Sequence, residues 1–181
     1  MLNLLLLGIP GSGKSTHGQI LAGKYGLFHL EAGEVIRKKI ENNEPPAEEL
    51  KSYLESEKLV PDEMINGIMA KIIQEEFEKG FVFDGYPRNV NQARFLDELL
   101  EKKGTKLHHI FLLSIPEETG VERIIQKRLK EQGRTTDQSE ELVRKRMDVQ
   151  KRLLKEVKDY YTQQRNNKPY EYEADSTVQS I

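Results

Sequence analysis

The chain has 181 residues, 36% of them hydrophobic, with a formal net charge of −2 and no cysteine. This length suits a sizeable core, so we predict a single domain over residues 1–181. The lack of cysteine excludes disulfides and a cysteine-ligated zinc site, and the balanced charge argues against nucleic acid as a partner. The opening apolar run is too short for a membrane span and lacks the basic flank of a signal peptide, so we expect a soluble, cytoplasmic protein with no membrane partner.

Apolar runs along the chain predict five strands, the last of them weaker than the others. They lie at residues 2–7, 27–30, 81–84, 108–115 and 169–174. Stretches of helical period lie between them, at residues 14–25, 34–42, 61–79, 90–103, 117–131 and 139–166. Near-continuous apolar strands that alternate with helices predict a three-layer α/β fold, with a five-stranded parallel sheet covered by helices on both faces. Such sheets bind ligands beyond the carboxyl ends of their strands.

The stretch GIPGSGKST, residues 8–16, stands where the first strand should pass into a helix. It fits the phosphate-loop pattern G-x-x-x-x-G-K-[ST], because glycines let successive backbone N–H groups wrap a polyphosphate at the positive end of the following helix. Lys14 would neutralise charge on the β- and γ-phosphates, and Ser15 or Thr16 would hold a phosphate oxygen or Mg²⁺. The residues predicted to bind ATP here are Gly11, Ser12, Gly13, Lys14, Ser15 and Thr16.

A second stretch, FVFDGYPRN at residues 81–89, follows the third predicted strand. Asp84 at the end of this strand is placed to organise Mg²⁺ through its water shell; the alternative is an ordinary strand-end aspartate that caps the next turn. Gly85 and Pro87 predict a tight turn that directs Arg88 outward. A planar guanidinium binds phosphate bidentately, so Arg88 indicates a second phosphate site.

These motifs together resemble the nucleoside monophosphate kinases, and among them most closely the adenylate kinases. The resemblance is carried by GIPGSGKST, EAGEVIR (31–37), KLVPDE (58–63), DGYPRNVNQA (84–93) and GRTTDQSEELVRKR (133–146). It implies a P-loop kinase fold and reversible transfer from Mg·ATP to AMP, giving two ADP without a covalent enzyme intermediate. It also implies a monomer, with ATP, AMP and ADP as ligands and Mg²⁺ as cofactor. Residues 31–60 would form a small monophosphate-binding flap, and residues 129–137 a short lid without zinc.

The resemblance also assigns individual residues. Arg37 and Arg88 would bind the phosphate of AMP, and Gln92 would recognise its adenine. The full AMP site would be Ala32, Arg37, Lys58, Leu59, Val60, Gly85, Arg88, Gln92, Arg134 and Arg146. Arg123 would stack on the ATP base, and Arg128 would join the ATP site. The catalytic set would be Lys14, Arg88, Arg128, Arg134 and Arg146; Asp137 would be a lid aspartate, and Ser15 and Asp84 would hold Mg²⁺, Asp84 through water. The histidines at positions 17, 29, 108 and 109 are interpreted as ordinary solvated or strand residues.

Several positions depart from the adenylate kinase pattern. Glu31-Ala32-Gly33 replaces the usual Ser-Thr-Gly, and Ala32 and Asn89 lean toward the UMP/CMP kinases. Gln92 favours AMP instead, because a longer amide suits the N1/N6 edge of adenine. In the lid, counting back from Arg146 makes Asp137 the first of an acidic pair and leaves one extra residue after Arg134.

Two alternatives from other functional classes stay open. A nucleotide-binding regulatory protein without turnover would not need a second phosphate site, so Arg88 and Arg128 beside Lys14 and Asp84 argue against it. An ATPase that drives a partner would need a residue to orient water, and the sequence offers no clear candidate.

Overall fold

The computed structural model describes residues 1–55, 59–132, 140–164 and 169–174, with the side chains of 55, 127–132 and 164 left out. The strands are β1 (Asn3–Gly8), β2 (Phe28–Glu31), β3 (Phe81–Asp84), β4 (His109–Ser114) and β5 (Tyr170–Glu173). The helices are α1 (Lys14–Tyr25), α2 (Ala32–Glu41), α3 (Ala47–Glu55), α4 (Asp62–Glu75), α5 (Val90–Lys102), α6 (Glu117–Gln132) and α7 (Glu140–Gln164). The five predicted strands are therefore confirmed.

The strands form one sheet in the order β2-β3-β1-β4-β5, and all four pairings are parallel. The chain fills one side of β1 with β2 and β3, and then crosses to the other side with β4 and β5. The loop after β1 therefore lies where the direction of winding reverses, which is the usual ligand site of an open parallel sheet. The predicted α/β class and five-stranded parallel sheet are confirmed.

The central strand β1 is buried on both faces. Leu5 and Leu7 belong to a large cluster with Phe81 and Phe83, whereas Leu4 and Leu6 belong to a second cluster on the other face. Because side chains alternate across a strand, an unbroken leucine run feeds both clusters. This explains why the run has no polar alternation and confirms that helices cover both faces of the sheet.

Two predicted helix boundaries are wrong. The helix predicted over residues 61–79 ends at Glu75, and a separate 3₁₀ turn covers Phe77–Lys79. Gly80 then has φ +74°, and a Cβ at this position would lie 2.3 Å from the carbonyl oxygen of Leu2. The helix predicted from residue 34 begins at Ala32, directly after β2. In both cases the boundary lies beside a strand, β3 after Gly80 and β2 before Ala32, and helical periodicity alone does not locate it.

The region predicted as a flap, residues 31–60, contains the end of β2 and the helices α2 and α3. The polar stretch 41–49 separates these helices, as predicted, although α3 begins within it at Ala47. Of the predicted lid, residues 129–132 form the last turn of α6, and the remainder lies outside the described residues. Within the described ranges, no helix has both the length and the apolar character needed to cross a bilayer.

Candidate active site

The loop between β1 and α1 is held in a conformation that requires glycine. Gly11 has φ +82° and Gly13, the residue before α1, has φ +86°. A Cβ at Gly11 would lie 2.6 Å from the carbonyl oxygen of Gly120, so the loop backbone packs directly on the backbone of α6. L-residues with side chains rarely adopt positive φ, and at Gly11 there is also no space for a side chain. The glycines predicted from the motif therefore have a geometric cause.

Lys14 folds back over the loop that it follows. Its Nζ donates hydrogen bonds to the carbonyl oxygens of Gly8, at 3.0 Å, and Ile9, at 2.9 Å. Burial lowers the pKa of Lys14 to about 8; the nearby Asp84 carboxylate opposes this shift, and the Arg88 guanidinium adds to it. A lysine in this state gains much from an anion, since a phosphate would stabilise its charged form.

Asp84 lies at the carboxyl end of β3, opposite Leu6 of β1 and Glu31 of β2. Ser15 Oγ donates a 2.7 Å hydrogen bond to Asp84 Oδ2, so the two residues predicted to hold Mg²⁺ are brought together. Burial alone would raise the pKa of Asp84, but His29, Lys14 and Ser15 outweigh it and lower that pKa. The carboxylate is therefore ionised at neutral pH, as a metal-organising oxygen donor must be.

His29 and Glu31 also belong to this site, although the sequence interpretation gave them no role in it. His29 Nε2 lies 3.7 Å from Asp84 Oδ2 and is buried without a hydrogen-bond partner. His29, Glu31 and Asp84 each offer a possible ligand atom, and these atoms lie within 4.8 Å of one another. Because neighbouring parallel strands end at the same edge, the ends of β2 and β3 could have been placed together from the sequence.

Arg88 follows the Gly85-Tyr86-Pro87 turn and bends back onto it. Its Nε donates to the carbonyl oxygen of Gly85 at 2.8 Å, and Gly85 itself has φ +70°. Burial lowers the pKa of Arg88, and the charge of Arg146 on α7 lowers it further. Two guanidinium groups are thus held close to each other, and Arg88 also lies close enough to Lys14 to affect its pKa. Like charges so placed form a site for a polyanion.

Further predicted AMP-site residues lie around Arg88. Ala32 is buried, and its Cβ would lie 3.9 Å from a Cβ added at Gly85. Arg37 on α2 contacts Glu31, with 3.2 Å between Arg37 Nη2 and Glu31 Oε1, and its side chain is half exposed. This ion pair joins the predicted phosphate-binding arginine to the end of β2.

Gln92 in the first turn of α5 is 3% exposed, and both ends of its amide are bonded. Its Oε1 accepts from the Arg88 backbone N–H at 2.7 Å, and its Nε2 donates to Asp62 Oδ1 at 2.8 Å. Asn89 donates through Nδ2 to the same Asp62 oxygen, at 2.8 Å, and its Oδ1 caps α5 by accepting from the Gln92 N–H. Asp62, within the KLVPDE segment, is a residue that sequence reasoning missed.

The remaining predicted residues fall into two groups. Among those described, Val60 is buried, Leu59 is exposed, and Arg123 donates to the carbonyl oxygen of Gly11 at 3.3 Å. The side chain of Arg128 and the whole of Lys58, Arg134 and Asp137 lie outside the described residues.

A parallel α/β sheet with a phosphate loop, a β3 aspartate and a second group of arginines defines a P-loop nucleotide kinase. Known proteins agree: a sequence profile of the family described as "Adenylate kinase" matches residues 6–166. The chain belongs to the adenylate kinase family.

Individual relatives are similar over nearly the whole chain. The "Adenylate kinase" of Bacteroides fragilis is 37% identical over 162 residues, which cover 89% of this chain and 85% of the relative. The "Adenylate kinase" of Fusobacterium nucleatum is 34% identical over 173 residues, covering 90% and 82%. The "Adenylate kinase 1" of Synechocystis is 35% identical over 179 residues, covering 98% and 91%.

Proposed function

We propose that this protein catalyses reversible transfer of the terminal phosphoryl group of Mg·ATP to AMP, giving two ADP. The observation that carries the proposal is the grouping of Lys14, Arg88 and Arg146, since the charge of Arg88 lowers the pKa of Lys14 and the charge of Arg146 lowers the pKa of Arg88. Phosphoryl transfer spreads negative charge over the oxygens of the moving group, so catalysis depends mainly on positioning and electrostatic stabilisation. Two anionic substrates also repel each other, and this group of cations offsets that repulsion.

On the donor side, the loop of residues 8–16 binds the ATP phosphates. Lys14 Nζ exchanges its contacts with the Gly8 and Ile9 carbonyls for phosphate oxygens, and the N-terminus of α1 supplies further N–H donors. Arg123, already on the Gly11 carbonyl, lies at the edge of this loop and would contact the ATP base. Arg128 lies on α6, the same helix as Arg123, and we assign it to the ATP site as well.

On the acceptor side, Arg37 and Arg88 bind the phosphate of AMP, and Arg146 faces the same space from α7. Gly85 and Ala32 pack beside Arg88, so the phosphate can approach closely. Leu59 and Val60 line the nucleoside, and Gln92 binds the base edge. We assign Lys58, Arg134 and Asp137 to this site and its lid on the resemblance alone.

Magnesium fits the described residues. Ser15 offers a hydroxyl and Asp84 an ionised carboxylate, joined by their 2.7 Å hydrogen bond, and hard oxygen donors are what Mg²⁺ prefers. When bound, Mg²⁺ would be held by Ser15 and Asp84 and would neutralise charge that develops on the phosphate oxygens.

In the transfer itself, the bond between the γ-phosphorus and the bridging oxygen of ADP breaks as a bond forms to an oxygen of the AMP phosphate. Lys14, Arg88 and Arg146 stabilise the charge on the moving group, and no side chain needs to act as a nucleophile. Water would compete as acceptor, so we propose that the flap of residues 31–60 and the lid of residues 129–137 close first. Since both substrates are proposed to bind residues of one chain, we propose a monomer that acts in the cytoplasm.

We propose AMP rather than UMP or CMP as the acceptor, because the longer amide of Gln92 suits the N1/N6 edge of adenine. Asn89, which in the sequence leaned toward the pyrimidine kinases, is occupied as the cap of α5 and as a partner of Asp62. It therefore has a structural reason to be present and gives little support to a pyrimidine acceptor.

The test is a coupled assay of ADP formation with Mg·ATP and, in separate reactions, AMP, CMP, UMP, GMP and IMP. We expect turnover with AMP to exceed that with the others. Preferred turnover of UMP or CMP would overturn the choice of acceptor. Tight ATP binding without turnover of any acceptor would overturn the enzymatic proposal and favour the regulatory alternative.

A further inference from the structure

The Gln92 amide can be analysed as a set of donors and acceptors. A primary amide has two N–H donors on nitrogen and two lone pairs on oxygen. Within the protein, the Arg88 N–H takes one lone pair of Oε1, and Asp62 Oδ1 takes one N–H of Nε2. Among the described residues no partner takes the second N–H or the second lone pair, so one donor and one acceptor remain for a ligand.

The amide is not free to flip between its two orientations. Reversal would place Nε2 against the Arg88 N–H, donor against donor, and Oε1 against the Asp62 carboxylate, acceptor against acceptor. Gln92 is 3% exposed, so water could not readily take over the lost bonds. Buried polar groups left without partners are costly, so a single orientation is strongly preferred.

Asp62 is itself held in place from two directions. It is the first residue of α4, so its backbone is fixed by that helix. The oxygen that receives Gln92 also receives Asn89 Nδ2 at 2.8 Å, and Asn89 is in turn fixed as the cap of α5. A further bond between the same two segments, from Tyr86 Oη to Asn66 Oδ1 at 2.6 Å, holds α4 beside the turn that precedes Arg88.

We propose that Asp62 is a positioning residue. By fixing the orientation of the Gln92 amide, it determines which bases the acceptor site binds. The fixed amide offers Oε1 to an amino group and an N–H to a ring nitrogen. This matches adenine, with N6 as donor and N1 as acceptor, and it matches cytosine in the same way. It opposes hypoxanthine, guanine and uracil, which present a carbonyl beside a ring N–H. The inference rests on the proposed function, since it takes the base of the acceptor to lie against Gln92.

The test compares AMP with IMP, which has nearly the same size but carries a carbonyl where AMP has the amino group and a proton on N1 where AMP has none. In Asp62→Ala the acceptor for Nε2 is lost, so only the Arg88 N–H still opposes reversal and the reversed amide becomes less costly. We expect the ratio of kcat/KM for AMP to kcat/KM for IMP to fall by about 10-fold or more. The fall should come from a lower kcat/KM for AMP together with a higher kcat/KM for IMP. In Asp62→Asn the side-chain oxygen still accepts from Gln92 and Asn89, so the ratio should stay within about threefold of the wild type.

Glu63→Ala is the matched control, because Glu63 is an exposed acid in the same first turn of α4. It removes the same charge from the helix end without touching Gln92, and its ratio should equal that of the wild type. If Asp62→Ala does not fold, Asp62→Leu removes the acceptor while filling a similar volume. Thermal unfolding and Mg·ATP affinity, measured for each variant, show that the phosphate loop is intact.

The possible outcomes separate the two proposals. Unchanged AMP-to-IMP ratios in a folded Asp62→Ala or Asp62→Leu protein would overturn the role of Asp62. A fall in Asp62→Asn as large as in Asp62→Ala would do the same, because charge rather than the acceptor would then be responsible. A wild-type protein that does not turn over AMP would instead overturn the proposed function.

Discussion

The proposed donor and acceptor sides of the site are built in different ways. Most of the donor side is one short stretch of chain, residues 8–16, closed on itself, with Lys14 bonded to carbonyls five and six residues away; Asp84 joins it through Ser15. The acceptor side, Arg37, Arg88 and Gln92, is held by side chains from separate segments; Gln92 and Asp62 are 30 residues apart. A local loop can be recognised as a motif, whereas the acceptor site exists only once the segments have packed. Changes on the donor side should therefore affect every acceptor equally, and changes on the acceptor side should depend on the nucleotide.

The largest effect is expected from Lys14→Met. Loss of the ammonium removes stabilisation of the transferring phosphoryl group, so kcat should fall by about 10²- to 10³-fold. The fall should be the same with AMP and with any poorer acceptor, as measured by steady-state kinetics. Lys24→Met, at the exposed end of the same helix, is the control and should keep wild-type kcat. A fall confined to AMP would contradict the division between the two sides.

Arg88→Met should disable the acceptor side selectively. Removing a buried guanidinium from the second phosphate site should lower kcat/KM for AMP by about 10²-fold or more, since charge-assisted phosphate contacts are among the stronger ones. The affinity for Mg·ATP, measured by calorimetry without acceptor, should change much less. Arg94→Met, an exposed change on α5, should have no effect on either quantity. Equal loss of ATP affinity and AMP turnover would show that the two sides are not separable.

A pH experiment separates the sides without mutation. Burial lowers the pKa of Lys14 to about 8, and bound phosphate must raise it again. Above pH 8 the free protein has lost that proton and the complex regains it, so ATP binding should take up a proton and weaken as the pH rises. Calorimetry in buffers of different ionisation enthalpy measures the uptake. AMP, whose phosphate is proposed to bind the guanidinium groups rather than Lys14, should cause less uptake, and Lys14→Met should abolish the uptake for ATP.

The smallest effect is expected from Glu31→Gln. Glu31 pairs with Arg37, whose side chain is half exposed, and such pairs are worth about 0.2–1 kcal/mol. Because AMP must compete with this carboxylate for Arg37, its removal should lower KM for AMP by about two- to fivefold and leave kcat nearly unchanged. Glu34→Gln, which breaks the exposed pair with Lys38 on the same helix, is the control. A higher KM in Glu31→Gln would mean that Glu31 orients Arg37 rather than competing with its ligand.

Sequence patterns predicted features that depend on local chemistry. The buried runs at 81–84 and 108–115 became β3 and β4, and α1 begins at Lys14 and ends at Tyr25 as predicted. The Ser15–Asp84 pair could be anticipated because both follow strands at the same edge. The role of Asp62 could not be anticipated, since it depends on a side-chain hydrogen bond across 30 residues. The helix predicted to residue 79 failed because periodicity says nothing about the approach of Leu2 to Gly80.

The position of β1 has a further consequence. Its leucines contribute to the apolar clusters on both faces of the sheet, and the chain passes from them into the phosphate loop without an intervening hinge. Unfolding of the core would therefore destroy the loop, so ATP should bind the folded chain alone. By mass action, a nucleotide at 100 times its dissociation constant would then add about 2.7 kcal/mol to the free energy of unfolding. A cell's nucleotide pool would thus act on this protein as a stabilising solute as well as a substrate.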